Sequence, residues 1–296
     1  SRINSSLFDR KINQKSVGSF RRTSFQRGDR IMMVNKSENR KKEIELLQTA
    51  PDLTAIVCDS TRLPYVECDI ETCDDQVLVY ENRGMAEKEA KKIEDAGYRV
   101  RTAHLPQKQR FGFFANLYSL GVNAVLINKG EESQVRLDLD KVINRPDIPR
   151  FTYEIRKALD AGEKPKFRVE NPEFHLTAIY FTQLSRGTKV QEHEEELKEL
   201  QEEMMTHYRE GYYIVARTKE GTTPLLKTKD GGSLQPMFSD MQEFLKFQHV
   251  NPTMKVETAV MTEAEFLKHL AKEATGVVIN PLGISLLLQV NRKKSD

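Results

Sequence analysis

Val122-Asn-Ala-Val-Leu-Ile-Asn128 and Val277-Val-Ile-Asn280 are two apolar runs, each ending in asparagine, in the middle and near the end of a 296-residue chain. The match extends upstream. A helix-like segment with a matching Phe (Phe114, Phe266) precedes each run. Before it lie strand-like stretches, Val100-Arg-Thr-Ala-His-Leu105 against Val256-Glu-Thr-Ala-Val-Met261. Before those come an apolar strand ending in an aromatic, Val77 to Tyr80 against Leu234 to Phe238, and a Pro-led strand at Pro64 and Pro224. The same elements in the same order, twice, imply one small unit used twice. Each run is short enough to be a buried central strand.

The flanking segments complete an α/β or α+β pattern of mixed sheets with helices. Strands are expected at 54–58, 64–68, 76–81, 98–105 and 135–139. Met85–Ala96 reads as an amphipathic helix, with Ala86, Ala90 and Ile93 on one stripe and Gly97 as its stop. Phe111–Leu120 reads as a second helix closed by Gly121. Between the copies the pattern is helical. Phe151, Ile155 and Leu159 mark one helix. Asn171-Pro172-Glu173 opens another that runs to about Arg186, with Asn as N-cap and Pro in the first turn. A longer helix spans about Val190 to Arg209, with Leu197, Leu200, Met204 and Tyr208 as its apolar stripe and Gly211 as C-terminal cap. Residues 192–203 hold seven Glu and one Lys, which read as a solvated face. In the second copy Lys229-Asp-Gly-Gly232 is a hairpin turn. Thr262-Glu-Ala-Glu265 opens a helix reaching about Glu273.

Hydrophobic content of 38% and charged content of 30% fit a soluble, surface-rich protein. No apolar run reaches the roughly 18 residues of a membrane span. Three Cys exclude a disulfide framework and favour a reducing, cytosolic setting. The net charge of +2 hides an asymmetry. Residues 1–42 hold 12 Lys/Arg against Asp9, Asp29 and Glu38, leaving 34 Lys/Arg and 41 acids, a charge of −7, for the rest. The expected organisation is a disordered basic tail (1–45), a first copy (46–147), a helical connecting segment (148–210) and a second copy (211–296). The tail lacks the roughly 7–15-residue apolar stretch of a signal peptide, although its basic, Ser-rich makeup also fits a transit peptide or leader. Arg21-Arg22-Thr23-Ser24 has the form of a basic-directed phosphosite, and Arg292-Lys293-Lys294 reads as a frayed basic end.

The second copy resembles the N-terminal domain of the SseB family. The residues that carry the resemblance are Pro224-Leu225-Leu226, then Leu234-Gln-Pro-Met-Phe-Ser-Asp240 with Glu243-Phe244, then Gly276-Val-Val-Ile-Asn-Pro-Leu-Gly283. It is clearest over about residues 165–290. In the first copy Tyr80-Glu81 stands in place of Phe-Ser, and Asn128-Lys129-Gly130 in place of Asn-Pro-apolar-Gly. The resemblance implies a fold and a bacterial, cytoplasmic setting, with no catalytic residue to carry over.

No motif here carries a reaction. Cys68-x4-Cys73 falls at the upper end of the roughly two to four intervening residues of zinc pairs, but a site needs four ligands and the other candidates, Cys58, His104 and His175, lie at no fixed distance in the sequence. Asp69, Asp74 and Asp75 disfavour a thiolate nucleophile. His193 has Leu197, not His, four residues on, and there is no phosphate-binding Gly-rich loop. We therefore expect no catalytic residue, no metal and no cofactor. The candidate ligand positions are the turns after the buried strands, Asn128 and Lys129 in one copy and Asn280, Pro281 and Gly283 in the other, because sheets of this class present ligands at strand ends. The plain alternative is a turn, with Asn tolerating special backbone angles and Gly allowing positive φ. The leading functional expectation is a non-catalytic binding or scaffolding protein with a protein or small-molecule partner. Two others stand behind it: an enzyme with its site in the cleft between the copies, and nucleic-acid association through the basic tail, which lacks Trp and a stacking arrangement of Phe.

Overall fold

Strand pairing, and not only element order, repeats in this chain. The computed structural model describes residues 41–42, 44–218 and 221–289. The phosphosite, the rest of the tail up to residue 40 and the basic stretch at 292–294 lie outside them. After a helical segment at 44–49, the first copy comprises β1 (Thr54–Cys58), β2 (Val66–Cys68), β3 (Asp75–Tyr80), α1 (Arg83–Asp95), β4 (Val100–His104), α2 (Gln107–Leu117), β5 (Ala124–Ile127) and β6 (Val135–Asp138). The second comprises β7 (Tyr212–Arg217), β8 (Leu226–Lys227), β9 (Ser233–Met237), α7 (Met241–Val250), β10 (Glu257–Thr262), α8 (Glu263–Lys268), β11 (Gly276–Ile279) and β12 (Leu286–Gln289). Between them lie α3 (Leu139–Val142), α4 (Tyr153–Asp160), α5 (Pro172–Ser185), a 3-10 turn (Val190–His193) and α6 (Glu194–Glu210). The result is a mixed α/β structure.

The first sheet runs β4-β1-β3-β5-β6, with β2 added to β3. The second copy reproduces it as β10-β7 and β12-β11-β9-β8, joined by one antiparallel bridge, Ile214 to Phe238. In both, the sole parallel pairing among the described strands joins the third strand to the fifth: Val79 to Ile127 and Met237 to Ile279. Those are the strands whose apolar runs reveal the repeat. All four residues of β5 and of β11 are buried.

The helices cap where polar side chains meet bare amides. Asn82 Oδ1 accepts from Gly84 N and starts α1 two residues earlier than its apolar stripe suggests. Ala86, Ala90 and Ile93 are its buried face, as the stripe implies. Asp240 Oδ1 accepts from Glu243 N at the start of α7. Thr262 and Glu265 form a reciprocal capping box on α8. That helix ends at Lys268, not near Glu273, because Gln235 Oε1 takes the Ala271 N–H at 2.8 Å and turns the chain away. Two caps expected from sequence act otherwise. Gly211 is extended (φ −79°, ψ 161°), and its missing Cβ instead leaves room for Asn171 Oδ1 and the Tyr213 hydroxyl. Asn171 caps nothing with its side chain; Nδ2 donates to Tyr212 O and Ser239 O, both at 2.7 Å.

The described residues from 42 to 289 form one compact unit. One face of each sheet feeds a shared core: Val77, Val125 and Ile127 from the first copy, Met237, Val277 and Ile279 from the second, with Phe174, Ala178, Met204 and Tyr208 of α5 and α6. Helix α1 covers the other face of the first sheet, on Ile56, Leu78 and Tyr80. α5 is buried almost all round and ties to both copies. Near its C-terminus Gln183 Oε1 accepts from Val66 N and Nε2 donates to Val66 O, each at 2.9 Å. Replacing Gln183 with Ala leaves both buried backbone groups of Val66 unmatched. Each such group costs about 1–3 kcal/mol, so urea unfolding of Gln183→Ala is expected to show a loss of about 2–4 kcal/mol. A loss within error of zero would show that β2 does not depend on this clamp.

Candidate functional site

Asn128 and Asn280 hold the same place in the two copies. Both are buried and both adopt left-handed backbone angles, φ 51° and 49°, a conformation Asn tolerates better than other residues with a Cβ. Each backbone N–H donates to the strand alongside, Asn128 to Val79 O and Asn280 to Met237 O, both at 2.9 Å. Each side-chain oxygen accepts from the residue just before the helix N-cap, Glu81 N at 3.0 Å and Ser239 N at 2.9 Å. The asparagine thus pins the end of the fifth strand to the exit of the third. That is a structural duty, fully engaged in both copies.

Around Asn280 lies the most concentrated polar cluster. Asn280 Nδ2 donates to Ser239 Oγ at 2.7 Å, and Ser239 Oγ donates to Asp240 Oδ2 at 2.8 Å. His175 of α5 brings Nδ1 to 3.4 Å from both Ser239 Oγ and Asp240 Oδ2. The residue types match a nucleophile, base and orienting acid, but the connectivity does not. A Ser–His–Asp relay puts Ser and Asp on opposite ring nitrogens. Here both face Nδ1. The single Ser239 proton is donated to the Asp240 carboxylate, so His175 does not accept from the hydroxyl. Ser239 and His175 are 0% exposed, so no substrate reaches them.

Burial raises the Asp240 carboxyl, but the His175 ring, the Ser239 hydroxyl and the Glu243 N–H outweigh it and hold it below the usual range. Glu243, on the next turn, is raised by burial, against the opposing pull of Lys246 and His175. Lys246 bonds its Oε1, while Oε2 has no hydrogen-bond partner among the described residues. Gly283 answers to this carboxylate: a Cβ there would lie 2.7 Å from Glu243 Oε2. Its φ is not positive, so close approach, and not backbone freedom, is what calls for glycine. Pro281 is a half-buried member of the same turn.

In the first copy the cluster is rebuilt with ion pairs. Asn128 Nδ2 donates to Glu81 Oε2 and Ser133 Oγ. Lys129 Nζ lies 2.6 Å from Glu67 Oε2 and 3.4 Å from Glu89 Oε1, and Lys92 holds the other Glu89 oxygen at 2.7 Å. Beside them the buried Tyr80 hydroxyl has no partner among the described residues, and burial pushes its pKa up. The turn residues read from sequence are therefore brought into two matched clusters. His175, Glu67 and Glu89 join them from distant elements, with no local signal to announce them.

Burial and the charges of Asp75, Asp69 and Asp74 beside it raise the Cys68 thiol. Among the described residues no three His, Cys, Asp or Glu side chains are grouped to hold a metal, and no helix is long and apolar enough to cross a membrane. Cys58 is buried, and its thiol is pushed up to about 12 by burial, with the charge of Asp59 adding to it. Cys68 and Cys73 are exposed.

Open space lies elsewhere. A groove of about 430 Å³ between α2 and the start of α7 is lined by Phe111, Tyr118, Phe167 and Met241, with Arg145 and Arg168 in its wall. Both arginines are engaged, Arg145 with Glu170 and Arg168 with the carbonyls of Pro146 and Ile148. A more polar cleft of about 610 Å³ sits at the N-terminus of α1.

Comparison with protein-family models and with curated proteins finds no match. Among solved structures, the chain is similar to Anabaena Tic22 (protein transport), with 11% identity, 81% of this chain and 91% of that chain covered, and a TM-score of 0.21. It is also similar to Tic22 from Plasmodium falciparum, with 9% identity, 80% and 89% covered, and a TM-score of 0.20. Likeness at these scores carries no argument about fold or role.

Two outcomes follow from the burial pattern. A thiol reagent at pH 8 should titrate two cysteines in the native protein and the third, Cys58, only after unfolding; three fast equivalents would contradict the burial of Cys58. The second concerns pH. Because the folded pKa of Glu243 lies above its unfolded value, stability from this group is complete below the unfolded pKa of about 4.3 and falls as pH rises through the raised one. Asp240 has the opposite sign: its contribution is present above its unfolded pKa and is lost as pH falls through the depressed one. Glu243→Gln removes only the first effect. The variant should gain stability relative to wild type between pH 4 and pH 7 in parallel urea titrations. A variant that loses ground over that range would show that the Lys246 pairing outweighs burial.

Proposed function

We propose that this chain is a non-catalytic binding or scaffolding protein built from two SseB-like units, acting on a protein or small-molecule partner in a bacterial cytoplasm. One observation carries the reading. The asparagines at the two matched strand ends are buried and hydrogen-bonded, and the nucleophile-like hydroxyl of the second copy, Ser239, is buried and donates to the Asp240 carboxylate and not to His175. Catalysis needs a reacting group that is both activated and reachable. The groove between the copies supports the same reading, since its arginines are tied to Glu170 and to backbone carbonyls, which leaves no pair of free titratable groups facing each other across it. Nucleic-acid association through residues 1–42 concerns a segment that lies almost wholly outside the described residues.

The test is an equilibrium screen of the full chain against metabolites, proteins and nucleic acids, with reaction products assayed alongside. The expected result is saturable binding of a ligand that is recovered unchanged. Turnover of any substrate that one point change abolishes would overturn the reading.

A further inference from the structure

The two copies differ most in what lies over the sheet beyond the start of the first long helix. In the second copy this patch is apolar, formed by Tyr212, Ile214 and Val260, and the connecting segment covers it. Phe151 packs on Tyr212 with ring centroids 5.0 Å apart and on Phe167 at 5.1 Å. Arg156 of α4 completes the cover. Its Nη2 donates to Val260 O at 3.0 Å on the edge strand β10, and its Nη1 to Glu265 Oε1 at 2.6 Å. Its guanidinium carbon lies 5.6 Å from the rings of both Phe151 and Tyr212.

Strand registers fix the matching positions in the first copy. Thr54 pairs with Tyr80 and His104 as Ile214 pairs with Phe238 and Val260. Asp52, Thr54 and His104 therefore stand where Tyr212, Ile214 and Val260 stand. β4, like β10, is the edge strand of its sheet. Here the patch is open, as the cleft of about 610 Å³ lined by Asp52, Thr54, Glu81, Thr102 and His104, with Asn82 and Arg83 at the helix start.

The lining has changed from apolar to polar, with two carboxylates, Asp52 and Glu81. The Asp52 carboxylate makes no ion pair among the described residues, and Glu81 carries a second negative charge, its Oε2 accepting from Asn128. The one cation in the lining, Arg83, is held by Glu87 at 2.7 Å. An apolar cover like Phe151 would bury Asp52 without a partner, which is unfavourable. A guanidinium suits the place instead, because it offers a planar fork to a carboxylate and to an edge carbonyl together.

The geometry points to this cleft as the docking site for an arginine side chain presented by a segment of a partner protein, in the position Arg156 holds in the second copy. The edge carbonyl of His104 takes the role of Val260 O, and Asp52 the role of Glu265. The inference rests on the binding reading above and names the chemistry of one partner.

The test is amide chemical-shift mapping on the full chain, titrated with a blocked Gly-Arg-Gly peptide and its neutral citrulline counterpart. The expected result is a saturable shift at Asp52, Thr54, Thr102 and His104 with the arginine peptide. The citrulline peptide and Asp52→Asn should each weaken it by about threefold or more, as for one exposed charge pair. Asp52→Lys should abolish it. Asp52 is exposed and unpaired, so these variants keep the fold, and their spectra report whether they do. Shifts that map to the Glu-rich face of residues 192–203, an unchanged titration with Asp52→Asn, or no saturable shift would each overturn the inference. Loss of arginine binding in a protein that still captures another ligand would remove this site alone. Discovery of turnover would remove the binding reading and leave the arginine site standing.

Discussion

α5 lies between the two copies and hydrogen-bonds to the backbone of both. At its start Asn171 holds Tyr212 O and Ser239 O of the second copy; near its end Gln183 holds both backbone groups of Val66 in the first. These amides take the place of ladder partners that the strands lack at those points, and a buried backbone group left unmatched is costly. The helix between them, with Phe174, Ala178 and Ile179 buried, belongs to the same apolar cluster as both sheets. A duplicated unit with one apolar sheet face must cover that face. Here the two faces are satisfied by one set of helices, which is why the described residues from 42 to 289 form one unit.

The asparagines work at a smaller scale. Each ends the central strand in a left-handed turn and ties it to the helix that follows the neighbouring strand. The polar groups around them then diverge. The second copy closes its cluster with a buried His, Ser and Asp, and the first with a lysine set between two glutamates. The asparagine amide itself donates to Ser239 in the second copy and to Glu81 and Ser133 in the first. The difference between the copies that bears on partners lies a few residues away, where an apolar patch under Phe151 and Arg156 in one copy becomes an open polar cleft in the other.

Strand positions were legible because their signal is local. Runs such as Val277-Val-Ile-Asn280 carry their burial in their composition, and the N-caps Asp240 and Thr262 lie beside the amides they serve. α5 was readable as a helix from Asn171-Pro172. Its role was not, since a helix buried on nearly all sides shows no stripe to say what it faces. Gly211 and Gly283 were read as backbone devices. Both instead make room for a side chain from elsewhere, Asn171 in one case and Glu243 in the other, and no local pattern encodes a neighbour that distant in sequence.

The sequence by itself determined the element order, its duplication, the mixed α/β class and the buried central strands, because periodicity and apolar runs express the burial of each segment. It placed the asparagines at turns for the same reason. Only the tertiary structure decided that the turn polar groups engage one another, that Ser239, His175 and Asp240 are wired through one ring nitrogen, and that one copy is covered where the other is open. Those outcomes depend on contacts between residues as far as 109 positions apart, and such contacts are set by how helices and sheets pack together.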